Sequence, residues 1–232
     1  MKTYDFETGE ILLLNKPLQW TSFDVVKKVR NILRIKKIGH AGTLDPLASG
    51  LLILCTGKFT KKIDLIQAQE KEYTGHFTIG QTTPSFDLET PVNQSHDYSQ
   101  LTEADIRAAA QTFVGHIEQI PPLFSAVKIN GERAYALARR GEEAEIKAKP
   151  IHIKAFEITQ IELPLVHFRV LCSKGTYIRS LARDFGQQLG CGAHLSQLIR
   201  TRIGEYTLTD ALTIEEVQAI RQQQLAQHAG NS

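Results

Sequence analysis

Residues 39 to 50 read GHAGTLDPLASG and set one carboxylate, Asp45, among three glycines and a proline, beside His40. Pro46 fixes its own backbone and biases Asp45 toward an extended conformation, while Gly39, Gly42 and Gly50 permit turns and close approaches that a Cβ resists. Two readings of Asp45 are open from these residues alone. Asp-Pro is a common turn dipeptide, and an Asp there caps its own backbone. A carboxylate held on irregular backbone also suits nucleophilic chemistry. Neither a Ser-His pair nor a second carboxylate shares its motif context, which counts against a hydrolase built on Asp45 and His40. Eight histidines without ligand spacing, and Cys55, Cys172 and Cys191 without a C-x-x-C pair, give no metal or disulfide framework. The cysteines read as small core residues.

The surrounding pattern predicts an α/β chain without internal repeats. Glu10 to Leu14 (EILLL) is a strand that Asn15, Lys16 and Pro17 end. Thr21 and Asp24 form a capping-box pair, and Phe23, Val26, Val29 and Leu33, with Val25 and Ile32, carry helical spacing to about Arg34. Leu51 to Cys55 is a buried strand, and Phe59 to Gln67 a helix. Tyr73, Gly75, Phe77 and Ile79 alternate on one face of a strand. Residues 81 to 100 are polar and broken by Pro84 and Pro91, which predicts an exposed loop. Further on, helices are expected at 105–114, 134–140, 177–189 and 213–224, and strands at 125–129, 151–161, 166–172 and 195–203. The strands at 151–161 and 166–172 pair through a turn near Pro164.

Four separated blocks, with the GTLDP segment, resemble the pseudouridine synthases of the TruB type. They are LLLNKPLQWTS (12–22), PPLFSAVKINGERAYALAR (121–139), SKGTYIRSLARDFG (173–186) and GAHLSQLIRTRIG (192–204). The first departs from the family at Asn15, where Asp is common, and at Gln19, where Gly is usual. The resemblance implies a pseudouridine synthase fold, an α/β (α+β) arrangement with a mixed, mostly antiparallel central sheet. It also implies a thumb-like insertion at about 121–150 within a single catalytic domain spanning 1–232. A C-terminal RNA-binding module of the PUA type is not expected.

By the same resemblance, Asp45 is the nucleophile that isomerises uridine 55 in the T arm of transfer RNA, and Arg179 is its cationic partner. Tyr73 stacks on the flipped base and is a candidate proton acceptor. Leu198 closes the other side of the ring, and His40 braces the vacated stack. Lys16, Lys128, Tyr177 and Asp87 contact the RNA, Asp87 from the polar loop. No cofactor or metal is implied, and the partner is the T-arm stem-loop. A transfer RNA binder that assists folding of the T arm is the alternative.

The charge pattern suits a polyanion. Residues 1–62 hold 11 Lys and Arg against 5 Asp and Glu, residues 63–120 hold 2 against 9, and residues 121–204 hold 13 against 7. Two basic blocks flank an acidic one, although the whole chain is only +2. Lys58, Lys61, Lys62, Arg133, Arg139 and Arg140 are further candidates for phosphate contacts. At 232 residues and 42% hydrophobic content the chain can bury a substantial core. No stretch approaches the roughly 20 apolar residues of a membrane span, and MKTYDFETGE lacks a signal-peptide core. A cytoplasmic monomer is expected.

Overall fold

The computed structural model describes residues 4–125, 127–129, 131–142 and 145–230, with the side chains of 128, 129, 133 and 228–230 outside that description. In chain order the first elements are β1 (Ile11–Lys16), α1 (Ser22–Leu33), β2 (Ile38–His40) and β3 (Ala48–Thr56). A 3-10 segment, Gly57–Lys62, runs into α2 (Ile63–Gln67) and then β4 (Lys71–Ile79), β5 (Gln81–Thr82) and β6 (Gln94–Ser95). The middle of the chain forms α3 (Glu103–Gln111), β7 (Gly115–Gln119), β8 (Lys128–Ile129), β9 (Glu132–Arg133) and α4 (Ala134–Arg139). It ends with β10 (Lys149–Glu162), β11 (Leu165–Cys172), α5 (Ile178–Gln188), β12 (Ala193–Ile203), β13 (Tyr206–Thr207) and α6 (Ile214–Gly230). Contacts divide these elements into two compact units, one of Met1–Glu72 with Ile199–Ser232, the other of Tyr73–Leu198.

In the first unit the strand order is β1-β3-β12, with β2 also pairing β3 and β13 pairing β12. Strand β3 is buried at every residue except Ser49, as its continuous apolar run dictates. One set of its side chains, Leu52 and Leu54, packs with Leu12, Leu14, Val25, Val29, Leu33 and Val217. The alternate set, Leu51, Ile53 and Cys55, packs with Ala41, Ile66 and Ile203. The capping box forms as expected: Thr21 accepts from the Asp24 backbone N–H and Asp24 accepts from that of Thr21, while Arg34 closes α1 in the left-handed region. The three cysteines are buried, and none forms a disulfide among the described residues.

Strand β1 runs two residues further than expected. Asn15 and Lys16 pair with Leu51 and Gly50, because the break comes only where Pro17 removes the next N–H. Gly50 sits opposite Lys16 at φ +101°, and a Cβ there would lie 2.5 Å from the Arg200 carbonyl oxygen. Gly50→Ala therefore combines left-handed strain with an overlap against backbone. We expect a loss of about 3 kcal/mol in denaturant unfolding, and a midpoint within error of the parent would contradict this packing.

In the second unit the order is β12-β4-β11-β10-β7. β10 pairs antiparallel with both β11 and β7, the first pairing through the turn at Leu163 and Pro164. Its core is aromatic: Phe77 stacks on Phe168 at 4.3 Å, and Phe156 and Phe185 close around them. Helix α5 supplies Phe185 and buries Leu181 and Ala182 on the same side. The segment from 81 to 100, expected to be exposed, is a small β5–β6 ribbon whose intervening loop buries Thr83, Ser85 and Asp87. In the thumb-like stretch, among the described residues of the expected 125–129 strand, Lys128–Ile129 forms the strand, paired with Glu132–Arg133, and residue 126 lies outside the description. Among the described residues no helix is long and apolar enough to cross a membrane.

Candidate active site

The candidate residues divide between the two units. In the first, the chain leaves β2 at His40, crosses residues 41–47 and enters β3. Each step of that crossing is tied down. The Ala41 N–H donates to the Ile53 carbonyl at 2.9 Å, and the Ala48 N–H donates to the Asp45 carbonyl at 3.0 Å. Asp45 is thus a turn residue in its backbone, with a half-buried side chain. The Ser22 hydroxyl accepts from the Leu44 N–H at 2.9 Å and donates to its carbonyl at 3.1 Å. The Gln19 N–H donates to the Pro46 carbonyl at 2.7 Å. Gln19 makes that bond at φ +67°, a conformation that accounts for the glycine usual at its position.

Beneath this turn lies Arg200, 1% exposed. Its Nε donates to the Leu51 carbonyl at 2.8 Å, Nη2 to Gly42 at 3.1 Å and Nη1 to Thr43 at 3.2 Å. Sequence reasoning missed it. The available sign was its spacing, two residues beyond Leu198 in a strand, hence on the same inward face. Lys16, expected to contact phosphate, is 0% exposed, and its ammonium donates to the Pro17 and Trp20 carbonyls at 2.9 and 2.6 Å. That assignment is corrected: a buried ammonium spent on backbone carbonyls cannot hold an RNA phosphate. Burial pulls its pKa down to about 8, opposed by the Asp45 carboxylate and reinforced by the Arg200 charge. Burial likewise pushes the His40 imidazole below its ordinary value, against a Gly42 backbone group that raises it. His40 is therefore a neutral planar ring at pH 7.

In the second unit Arg179 occupies the first turn of α5 and is 5% exposed. Its Nη1 donates to the Phe124 carbonyl at 2.8 Å, and its Nε lies 3.6 Å from Asp87 Oδ2. Asp87 was expected on an exposed loop; it is buried, with its other carboxylate oxygen accepting from the Glu89 N–H. The Thr83 and Ser85 hydroxyls both donate to its carbonyl, which explains how so polar a segment turns inward. Tyr177, half-buried at the N-cap of α5, is held by Gln119. The Tyr177 N–H donates to Oε1 at 2.8 Å and Nε2 donates back at 3.2 Å. Gln119 and Ser180, which donates to the Ile120 carbonyl, join residues 119–120 to that helix.

Tyr73 on β4 and Leu198 on β12 are both buried. These strands meet closely, since a Cβ on Gly75 would lie 2.0 Å from the Gln197 carbonyl oxygen. The Lys128 side chain lies outside the described residues. Lys58, Lys61 and Lys62 are exposed, as expected, with the Lys62 ammonium 4.3 Å over the Phe59 ring. Arg139 and Arg140 instead form exposed ion pairs, Arg139 with Glu89 and Arg140 with Glu132 and Glu142. Exposed pairs of this kind are weak, on the order of 0–1 kcal/mol, and exchange readily for other anions.

Known proteins match this arrangement over nearly its whole length. The profile of the TruB family pseudouridylate synthase (N terminal domain) matches residues 30–178, and that of the tRNA pseudouridylate synthase B C-terminal domain matches residues 179–229. The tRNA pseudouridine synthase B of Parabacteroides distasonis is 54% identical over 219 residues, covering 92% of this chain and 93% of the relative. That of Flavobacterium johnsoniae is 52% identical over 221 residues, covering 92% and 96%. Among solved structures, a chain of a Cbf5-Nop10-Gar1 complex superposes with a TM-score of 0.72 at 30% identity, over 92% of this chain and 54% of its own length. The archaeal box H/ACA sRNP Nop10-Cbf5 complex gives 0.69 at 27%, again with this chain spanning about half of the matched one.

Proposed function

This chain belongs to the TruB family of pseudouridylate synthases, and from that premise we propose that it isomerises uridine 55 in the T arm of transfer RNA to pseudouridine. The observation that supports the reading is the turn at residues 41–48, whose backbone is held on Ile53, Ser22 and Arg200 on either side of the motif carboxylate, Asp45. The reaction breaks the N1–C1′ bond, turns the uracil and joins C5 to C1′. The C5 proton leaves and N1 ends protonated, so no redox partner is required. Asp45 is the nucleophile, whether it adds to C6 of the base or engages C1′ after loss of the C2′ proton.

Arg179 supplies the positive charge that stabilises the carboxylate, and Asp87 aims its guanidinium. A uridine inside a folded arm has to be flipped out, at about a few kcal/mol. Stacking on Tyr73 and packing on Leu198 offset part of that cost, and the Tyr73 hydroxyl is placed by the reading to accept the C5 proton. Neutral His40 fills the vacated stack. Tyr177 and Lys128 contact the RNA, and the exposed lysines near Phe59 add phosphate contacts. Every assigned residue comes from one polypeptide, so the proposal is for a cytoplasmic monomer, made as a single catalytic domain.

Recognition rests on the shape of the T arm. A T-arm stem-loop carrying 5-tritiated uridine should release its tritium at a rate within about threefold of whole transfer RNA, with the pseudouridine mapped to position 55. A loss of a hundredfold or more on the stem-loop would sink that claim.

A further inference from the structure

We propose that Arg200 is a positioning residue for Asp45, its guanidinium fork fixing the turn from which the carboxylate is presented. The proposal rests on the assignment of Asp45 as the nucleophile. The geometry is specific. All three guanidinium nitrogens are used, one on Leu51 in β3 beyond the turn and two on Gly42 and Thr43 just before Asp45. The two ends of the 42–51 segment are therefore gripped by one rigid planar group, which a flexible ammonium cannot imitate.

The site is closely fitted around that group. A Cβ on Gly42 would lie 3.7 Å from Nη1, and Gly50, at positive φ, leaves room for the Arg200 backbone itself. Lys16 stands in the same electrostatic neighbourhood, its ammonium acted on by both the Asp45 and the Arg200 charges. Every hydrogen bond these two cations make among the described residues goes to a carbonyl oxygen. Buried charges satisfied only by neutral dipoles are costly to keep. The Asp45 carboxylate, and to a smaller extent that of Asp24, favours the charged form of Lys16, so the turn that Arg200 grips also carries a charge that offsets a buried cation beside it.

Arg200→Lys tests the fork, since it keeps the charge and loses the planar grip. At a temperature where circular dichroism shows both proteins folded, kcat should fall by about 10- to 100-fold while KM for the stem-loop stays within about threefold, as expected for a misplaced nucleophile on an intact RNA surface. Hydrogen exchange should accelerate at the amides of residues 41–48 and stay unchanged in α1. A purely structural role predicts a lower Tm with unchanged kcat in the folded protein. That result, or unaltered exchange at 41–48, would overturn the proposal.

Should Arg200→Lys not fold, Arg200→Gln keeps an amide donor without a buried charge and is read by the same two measurements. If the unmodified protein forms no pseudouridine, the assignment of function fails. The exchange measurement then still decides whether Arg200 holds the turn.

Discussion

Asp45→Asn is expected to form no pseudouridine, a loss of at least about a thousandfold, while binding the T-arm stem-loop within about tenfold of the parent. The substitution is nearly isosteric and leaves the backbone of the turn alone: the Ala48 N–H still finds the residue 45 carbonyl, and Ser22 still brackets Leu44. What disappears is the anion. An amide is a poor nucleophile, so the remaining groups can bind and orient the uridine without an atom to attack it. Binding persists because most affinity for RNA comes from phosphate contacts spread over the surface.

A second readout ties the result to local electrostatics. The Asp45 charge favours the protonated form of Lys16, so removing it should move the Lys16 titration further below about 8, measurable through its ε-carbon resonance. Isomerisation retained by Asp45→Asn would refute the nucleophile's assignment. Binding lost together with activity would instead show that the carboxylate organises the RNA surface. A variant that binds without catalysis also isolates any T-arm folding activity, since that needs contact and flipping alone.

How much of this was legible in the sequence depended on how each residue's polar atoms are satisfied. Elements declared by local chemistry were read correctly: the Thr21–Asp24 box, the period-two face of β4 and the turn at Pro164 all rest on neighbours in sequence. Inward-facing polar residues were not. Lys16 looked like a surface cation because its partners, the Pro17 and Trp20 carbonyls, are invisible until the chain folds back over it. Residues 83–87 looked like an exposed loop because Thr83 and Ser85 satisfy themselves locally, against the Asp87 carbonyl, and so hide a buried site behind a polar composition. Arg200 lies in an ordinary strand pattern, and only its contacts with residues more than 140 positions earlier reveal its place.

Arg179→Met should abolish activity and also unfold the protein more easily, and the two effects can be separated. Arg179 and Asp87 are a buried pair, with side chains only 6% and 8% exposed. Removing the guanidinium strands the Asp87 carboxylate in a poorly hydrated site and frees the Phe124 carbonyl, a cost of about 3–5 kcal/mol. The double variant Arg179→Met with Asp87→Asn removes both charges, and an amide at 87 can keep the bond from the Glu89 N–H. Replacing a buried pair by neutral groups is often close to neutral in stability. The double variant should therefore recover most of the lost stability, to within about 1–2 kcal/mol of the parent.

Its activity should not return, because the positive charge that the proposed function assigns to Arg179 is still missing. Asp87→Asn alone should lie between, folded and slowed, since the guanidinium remains but loses the group that aims it. Denaturant midpoints and single-turnover rates on the stem-loop, measured for all three variants, close the cycle. Activity restored with stability in the double variant would mean that Arg179 serves the fold and that the chemistry at Asp45 proceeds without it.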